Sequence, residues 1–297
     1  IPTSGLSARV RGIHTANRAV DSAVAGERCA LNLTGPGIRG DAIRRGDWVT
    51  APDGGSVTRR CDVSLRLLDH ERNALKSGTP VLVHHGADQI PARVVLLDPP
   101  FLSPGHTGLA HLALDRAIPS RHGDRLVLRD ISASRTIAGG RVLDVRPPER
   151  HRKQPGRLAI LRALMDSDHD SALRAMLAAP PFLYRRDTLL ADWGLGSPPP
   201  GLVALGDWVT VAAGIETLTA VVLGVLHVFH VHHPSAPGMT IEALRLGLDI
   251  RLQREAFAVL TAFLRDTGVL ATEAHLIRVP EHRAGLAGED ARIWTAL

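Results

Sequence analysis

The chain has 297 residues, enough for roughly two to four compact modules with apolar cores of their own. Its 35 Lys and Arg residues against 30 Asp and Glu give a formal charge of +5, and Arg dominates the basic set, a composition suited to phosphate recognition. Aromatic residues make up only 3% of the chain, which disfavours a reader of single strands that stacks bases and favours recognition of a folded RNA by shape. Two cysteines, Cys29 and Cys61, exclude a disulfide scaffold and fit a reducing cytosol. The most apolar run, Leu218–Val231, is shorter than the roughly 20 residues a bilayer requires and contains two histidines, so a buried helix and no membrane is expected.

In chain order, residues 1–60 read as short strands with turn punctuation. Ser7–Ile13 alternates, Cys29–Leu33 is an apolar run, and Arg44–Thr50 leads to a turn at Pro52-Asp53-Gly54-Gly55. Residues 61–147 hold apolar segments at Cys61–Leu68, Val81–His85, Ala92–Leu97 and Leu109–Leu114, then Leu126–Arg129 and Arg141–Val145. Short connections without helical spacing predict an antiparallel barrel. The last two segments flank a corner carrying Arg129, Asp130, Ser132 and Arg135, too polar for a core and placed to meet a partner, although a plain surface turn has the same look. His84 and His85 are adjacent in a strand, so they point to opposite faces and at most one meets a ligand.

Residues 147–157 form a Pro-bounded basic linker, read as a solvated connector with a general attraction to RNA. Helix spacing follows at Leu158–Met165, Leu173–Leu177 and Tyr184–Leu195, then two short strands turning at Gly206-Asp207. Helix, helix, helix, hairpin is the order of a winged helix. It repeats with Leu218–His233, Thr240–Leu246, Leu252–Gly268 and a wing over Val269–Val279, and Leu286–Leu297 opens another helical pattern. His227, His230, His232 and His233 lie close in sequence, but no cysteine or carboxylate completes a tetrahedral set, so no metal site is expected.

The stretch LVLRDISASRTIAGGRVLDV resembles the closing strands of the last β-barrel of translational GTPases. Elongation factor Tu has there an arginine, a short turn and Arg-Thr-Val-Gly-Ala-Gly; here Arg129, then Arg135, Thr136, Ile137, Ala138, Gly139 and Gly140 hold those places. RLVLRDISA is closer still to the selenocysteine-specific elongation factors, and VAGERCALNLTG, IRRGDWV, VLVHHGADQIPARVVLLD and LIRVPEHRAGLAGEDARIW are similar to that family too. The resemblance implies a multi-domain β + α protein: elongation-factor-type antiparallel β-barrels followed by tandem winged-helix domains. Residues 1–60 would be an incomplete second-domain barrel and 61–147 the third-domain barrel. Residues 148–217 and 218–282 would be two winged helices, and 283–297 the start of a third.

By the same resemblance the chain is expected to be part of a longer factor that delivers selenocysteinyl-tRNA to the ribosome at recoded UGA codons. GTP and magnesium would belong to a domain preceding Ile1, and the winged helices would act as a spacer towards a selenoprotein mRNA hairpin. VRGIHTANRAV corresponds to the strand and turn against the aminoacylated tRNA end, so His14, Asn17 and Arg18 would border an aminoacyl pocket. His14 falls where elongation factor Tu has a glutamate, and Asn17 where it has an arginine. His84, His85, Arg93, Arg129, Asp130, Ser132 and Arg135 would face the tRNA stem, where A-form geometry leaves phosphates and 2′-hydroxyls to be read. The sequence has no G-x-x-x-x-G-K-S/T and no Asn-Lys-x-Asp, so it is not expected to bind nucleotide or hydrolyse GTP by itself. Two other classes share part of the pattern. One is a DNA-binding regulator with recognition helices at Asp187–Trp193 and Leu252–Arg265, which gives no reason for the β-modules ahead of it. The other is a ribosome-binding factor without tRNA cargo.

Overall fold

The structure, a computed structural model, describes residues 1–51, 55–166 and 168–285. The expected turn at Pro52-Asp53-Gly54 and the helix expected over Leu286–Leu297 lie outside the described residues. The chain divides into two compact units, one of Ile1–Met165 with Leu190–Gly196, the other of Asp166–Leu189 with the residues from Ser197 onward.

The first unit opens with a small antiparallel sheet of β1 (Arg9–Thr15), β2 (Arg18–Val20) and β3 (Cys29–Thr34), in the order β2-β1-β3. β1 and β2 are joined by Ala16 and Asn17 at φ 46° and 63°, the left-handed pair of a two-residue hairpin turn. Asn tolerates that region, whereas Ala is strained in it. Residues 35–51 continue in turns and extended backbone without a strand, so Trp48 and Val49 sit outside any sheet.

The barrel follows: β4 (Val57–Leu67), β5 (Leu75–Lys76), β6 (Pro80–His85), β7 (Asp88–Asp98), β8 (Phe101–Leu102), β9 (Thr107–Pro119), β10 (Arg125–Asp130) and β11 (Thr136–Asp144). Six of them close in the order β10-β11-β4-β9-β7-β6, with β6 pairing back onto β10, every pair antiparallel. Closure follows from strict alternation: Val63, Leu65 and Leu67 on β4, and Ile90, Ala92, Val94 and Leu96 on β7, all point into one core. The short β5–β8 pair adds Leu75 and Leu102 to it. Gly140 is required where β11 crosses β4, because a side chain there would run into the Ser64 carbonyl and the Leu65 side chain.

The basic segment after the barrel is exposed over most of its length, but two of its arginines are bound to the barrel. Arg152 donates to His111 Nε2 at 2.6 Å, and His111 Nδ1 lies 2.8 Å from Asp62 Oδ1. A guanidinium only donates, so His111 carries its proton on Nδ1 and gives that hydrogen bond to Asp62. Helix α1 (Pro155–Asp166) brings Arg157 to Asp62 at 2.5 Å and to Asp144 at 2.7 Å, and Arg141 of β11 donates to the Met165 carbonyl at 2.8 Å. Asp62 is wholly buried, and the arginine supplies the charge its burial demands. Residues Leu190–Gly196 belong to this unit too: Asp192 pairs with Arg146 at 2.7 Å, and burial raises its carboxyl above the usual range despite hydrogen bonds from Ser56 and Arg146.

The second unit contains α2 (His169–Leu177), β12 (Tyr184–Arg185), the start of α3 (Arg186–Trp193), β13 (Val203–Leu205) and β14 (Trp208–Thr210). It continues with α4 (Ala212–His232), β15 (Met239–Thr240), α5 (Ile241–Leu246), α6 (Arg254–Asp266), β16 (Ala271–Glu273) and β17 (Leu276–Arg278). The strand sets β12-β14-β13 and β15-β17-β16 each make a three-stranded antiparallel wing. Asp168 caps α2 by accepting from the Asp170 and Ser171 amides, both at 3.1 Å. α4 runs 21 residues, longer than the apolar run foretold, and by length and composition alone it could cross a membrane. One stripe of it, Leu218, Val222 and Leu226, is fully buried in a core with Leu244, Phe257, Leu260 and Ile277, while Val228 and Val231 are exposed. His230 continues that stripe, stacked on His282 at 3.6 Å; burial first, and then the nearby His282, His227 and Arg278, lower its pKa.

Candidate nucleic-acid interface

The β10–β11 corner is built by one carboxylate. Asp130 ends β10 and accepts from the hydroxyls of Ser132 and Ser134 at 2.6 Å each, and from the Arg135 amide at 2.9 Å. Those bonds, Ser132 first, hold its carboxyl far below the usual range, so it is ionised throughout the neutral and mildly acid region. Backbone bonds from Asp130 N to Arg135 O and from Ala133 N to Asp130 O complete the turn. The Asp130 carboxylate and the Ser132 hydroxyl are thus engaged within the corner. The arginines are what it presents outward. Arg135 is exposed and pairs with Glu71; Arg129 is half-buried, its Nε is buried, and that nitrogen has no hydrogen-bond partner among the described residues.

Register sets what lies beside them. On β6, Leu82 pairs with Arg129 and His84 with Val127, so half-buried His84, its Nε2 buried and unpartnered among the described residues, shares the outer face of the β6–β10 pair with Arg129, roughly 7 Å further along. His84 also borders a cavity of about 330 Å³ with Arg45, Gly86, Asp88 and Gln89. Arg93 is exposed and donates to the Gly78 carbonyl at 3.1 Å. Its partner Pro80 is next to Val81, the partner of Asp130, so Arg93 lies at the corner's end of the barrel.

His85 leaves the outward-facing set. It is 4% exposed, its ring stacks on Trp48 with centroids 5.9 Å apart, and its Nε2 lies 3.0 Å from Asp124 Oδ2. A carboxylate only accepts, so that nitrogen carries the proton. The alternation of β6 decides the matter, turning one of two adjacent histidines inward. Neither Asp124 nor Trp48 was singled out by sequence. The Trp in IRRGDWV was the available signal, and the carboxylate 39 positions away gave none.

The β1–β2 tip gathers His14, Asn17 and Arg18, all exposed. Asn17 is a turn residue, whereas His14 pairs with Ala19 and Arg18 with Thr15. Adjacent pairs alternate faces, so His14 and Arg18 occupy opposite faces of the ribbon.

A closed antiparallel barrel with arginine-bearing corners, followed by helix-and-wing modules, defines a translation-factor class of protein. Residues 59–149 match the family described as selenocysteine-specific elongation factor, beta-barrel domain, and residues 223–278 match elongation factor SelB, winged helix. The chain thus carries the barrel and a winged-helix domain of selenocysteine-specific elongation factors. It is 30% identical over 298 residues to the selenocysteine-specific elongation factor of Escherichia coli strain K12, an alignment covering 96% of this chain and 45% of that protein. The Desulfomicrobium baculatum factor is 27% identical over 311 residues, covering 100% of this chain and 49% of that one. The chain therefore spans about half the length of the curated relatives it matches. A crystal structure of a bacterial selenocysteine-specific elongation factor, EF-Sec, shares the fold at TM-score 0.64 and 20% identity, covering 92% of this chain and 43% of that one.

Proposed function

We propose that this chain supplies the RNA-gripping barrel and the winged-helix arm of a factor that carries selenocysteinyl-tRNA to the ribosome at recoded UGA codons, in a GTP-dependent cycle in the cytoplasm. In this reading residues 1–60 belong to a second-domain barrel, 61–147 are the third-domain barrel, 148–217 and 218–282 are winged helices, and 283–297 begin another. The arm reaches towards a selenoprotein mRNA hairpin, and GTP with magnesium belongs to a nucleotide domain outside this chain. Arg129 and Arg135, with Arg93 and His84 beside them, contact phosphates of the tRNA stem. His14, Asn17 and Arg18 border the aminoacylated end, with His14 and Arg18 serving opposite sides of the tip.

The observation that carries this reading is the framed corner: Asp130 absorbs the turn's own donors, and Arg129 and Arg135 remain as its outward cations. Competition binding with selenocysteinyl-tRNA, seryl-tRNA of the same acceptor and duplex DNA tests it. Preference for selenocysteinyl-tRNA is expected; tighter binding of duplex DNA would move the chain to the regulator class, and indifference to all three would leave a ribosome-binding role without cargo.

A further inference from the structure

Glu71 reaches Arg135 across 64 positions of sequence, and the two partners differ sharply in exposure: the glutamate side chain is 6% exposed, the arginine 57%. The turn that carries Glu71 is fixed from below. Leu68 N donates to the Ile137 carbonyl of β11 at 3.0 Å, and Glu71 N to the Leu68 carbonyl at 3.2 Å. The same turn exposes His70 and Arg72.

We propose that Glu71 is a positioning residue of the RNA-facing corner. It clamps one edge of the Arg135 guanidinium so that the other edge is presented to a backbone phosphate, and its own turn, through His70 and Arg72, forms the second wall of the contact. The inference rests on the reading of the corner as an RNA contact. Its physical content is preorganisation. Arg135 is tied at its backbone by Asp130 and at its tip by Glu71, so little rotamer freedom is left to lose on binding. A guanidinium has five N–H donors; Glu71 engages NH1, and the remaining edge suits the bidentate geometry of a phosphate. An exposed carboxylate here would repel RNA. The Glu71 side chain is 6% exposed and that of Arg135 57%, so the surface presents the cation of the pair, with the exposed Arg72 beside it.

The test is a double-mutant cycle on the whole chain, with a fluorescein-labelled transcript of the selenocysteine tRNA as probe. Glu71→Met should weaken binding roughly three- to tenfold in the wild-type background, the worth of one immobilised long side chain, and leave the Arg135→Met protein unchanged. Glu71→Gln, which keeps an acceptor oxygen of the same reach, should recover most of the loss. In the free protein the Arg135 Nε–H resonance should be distinct in the wild type and collapse into the averaged arginine signal in Glu71→Met. Equal losses in both backgrounds would show that Glu71 acts through the fold, and tighter binding that it competes with phosphate; either result overturns the inference alone. If Arg135→Met by itself leaves RNA affinity intact, the corner is not an RNA contact, and the proposed function of this site falls with the inference.

Discussion

The barrel corner and the β1–β2 tip both present polar side chains to solvent, yet they are held by opposite means. The corner stands on a closed ladder over a core in which Leu65, Leu96, Leu112 and Leu128 are wholly buried, and Asp130 ties its turn with three hydrogen bonds. The tip is a ribbon with three paired positions between β1 and β2, an alanine in the left-handed region, and exposed Val10 and Leu31 on its sheet. A closed barrel can aim a charge, because the backbone beneath it has one arrangement; an open ribbon offers side chains whose geometry a partner must complete. The arginines sit on the first and the residues proposed for the aminoacyl end on the second.

Breaking the barrel should have the largest effect. Leu65→Ala removes a fully buried side chain and should cost about 2–5 kcal/mol in urea unfolding, whereas His14→Ala at the tip should stay within about 0.5 kcal/mol. Comparable losses would mean that the two regions share one core.

Next in size is the lock behind His85. Burial raises the Asp124 carboxyl, but the hydrogen bonds from His85 and the Arg121 amide, with the charges of those two residues, outweigh it and bring the pKa below the ordinary carboxylate value. A group whose folded value is depressed adds stability that is complete above its unfolded value, about 3.9, and is lost as pH falls through the lower folded value. Asp124→Asn should therefore cost about 1–3 kcal/mol at neutral pH, with the gap between variant and wild type closing below about pH 4. A gap that persists undiminished in acid would assign the loss to packing against Trp48.

The tip can be sharpened more gently. Ala16→Gly relieves the left-handed alanine and should raise stability by at most about 1 kcal/mol, read as a small upward shift of the melting midpoint. His14→Ala should weaken selenocysteinyl-tRNA binding without changing its salt dependence, because the contact it serves is not a phosphate. Unchanged affinity would remove His14 from the aminoacyl end.

What could be read from sequence divides along the same line. The barrel strands were legible because Ile90, Ala92, Val94 and Leu96 repeat with period two, and the wings because Gly206-Asp207 marks a turn between apolar pairs. The apolar run from Leu218 marks α4 six residues after its start, since Ala212, Ala213 and Gly214 add little to an apolar run and Gly214 is a poor helix former. The anchoring of Arg152 and Arg157 is not legible, because their partners Asp62, His111 and Asp144 come from three different strands. Glu71 and Asp124 were invisible for the same reason, since a single carboxylate gains a role only when folding brings its distant partner to it. That the corner carries arginines is legible in the sequence, but the bonds that hold it are not: Asp130 accepts from Ser132, Ser134 and the Arg135 amide only once the turn has folded.

The salt dependence of RNA binding tests the central claim most directly. The slope of log affinity against log salt for the selenocysteine tRNA should become shallower by roughly 0.7–0.9 for each lost phosphate contact, so the Arg129→Met, Arg135→Met double variant should lose about twice that, with weakened affinity at every salt concentration. A double variant with the slope and affinity of the wild type would contradict the assignment of these two arginines to the tRNA stem.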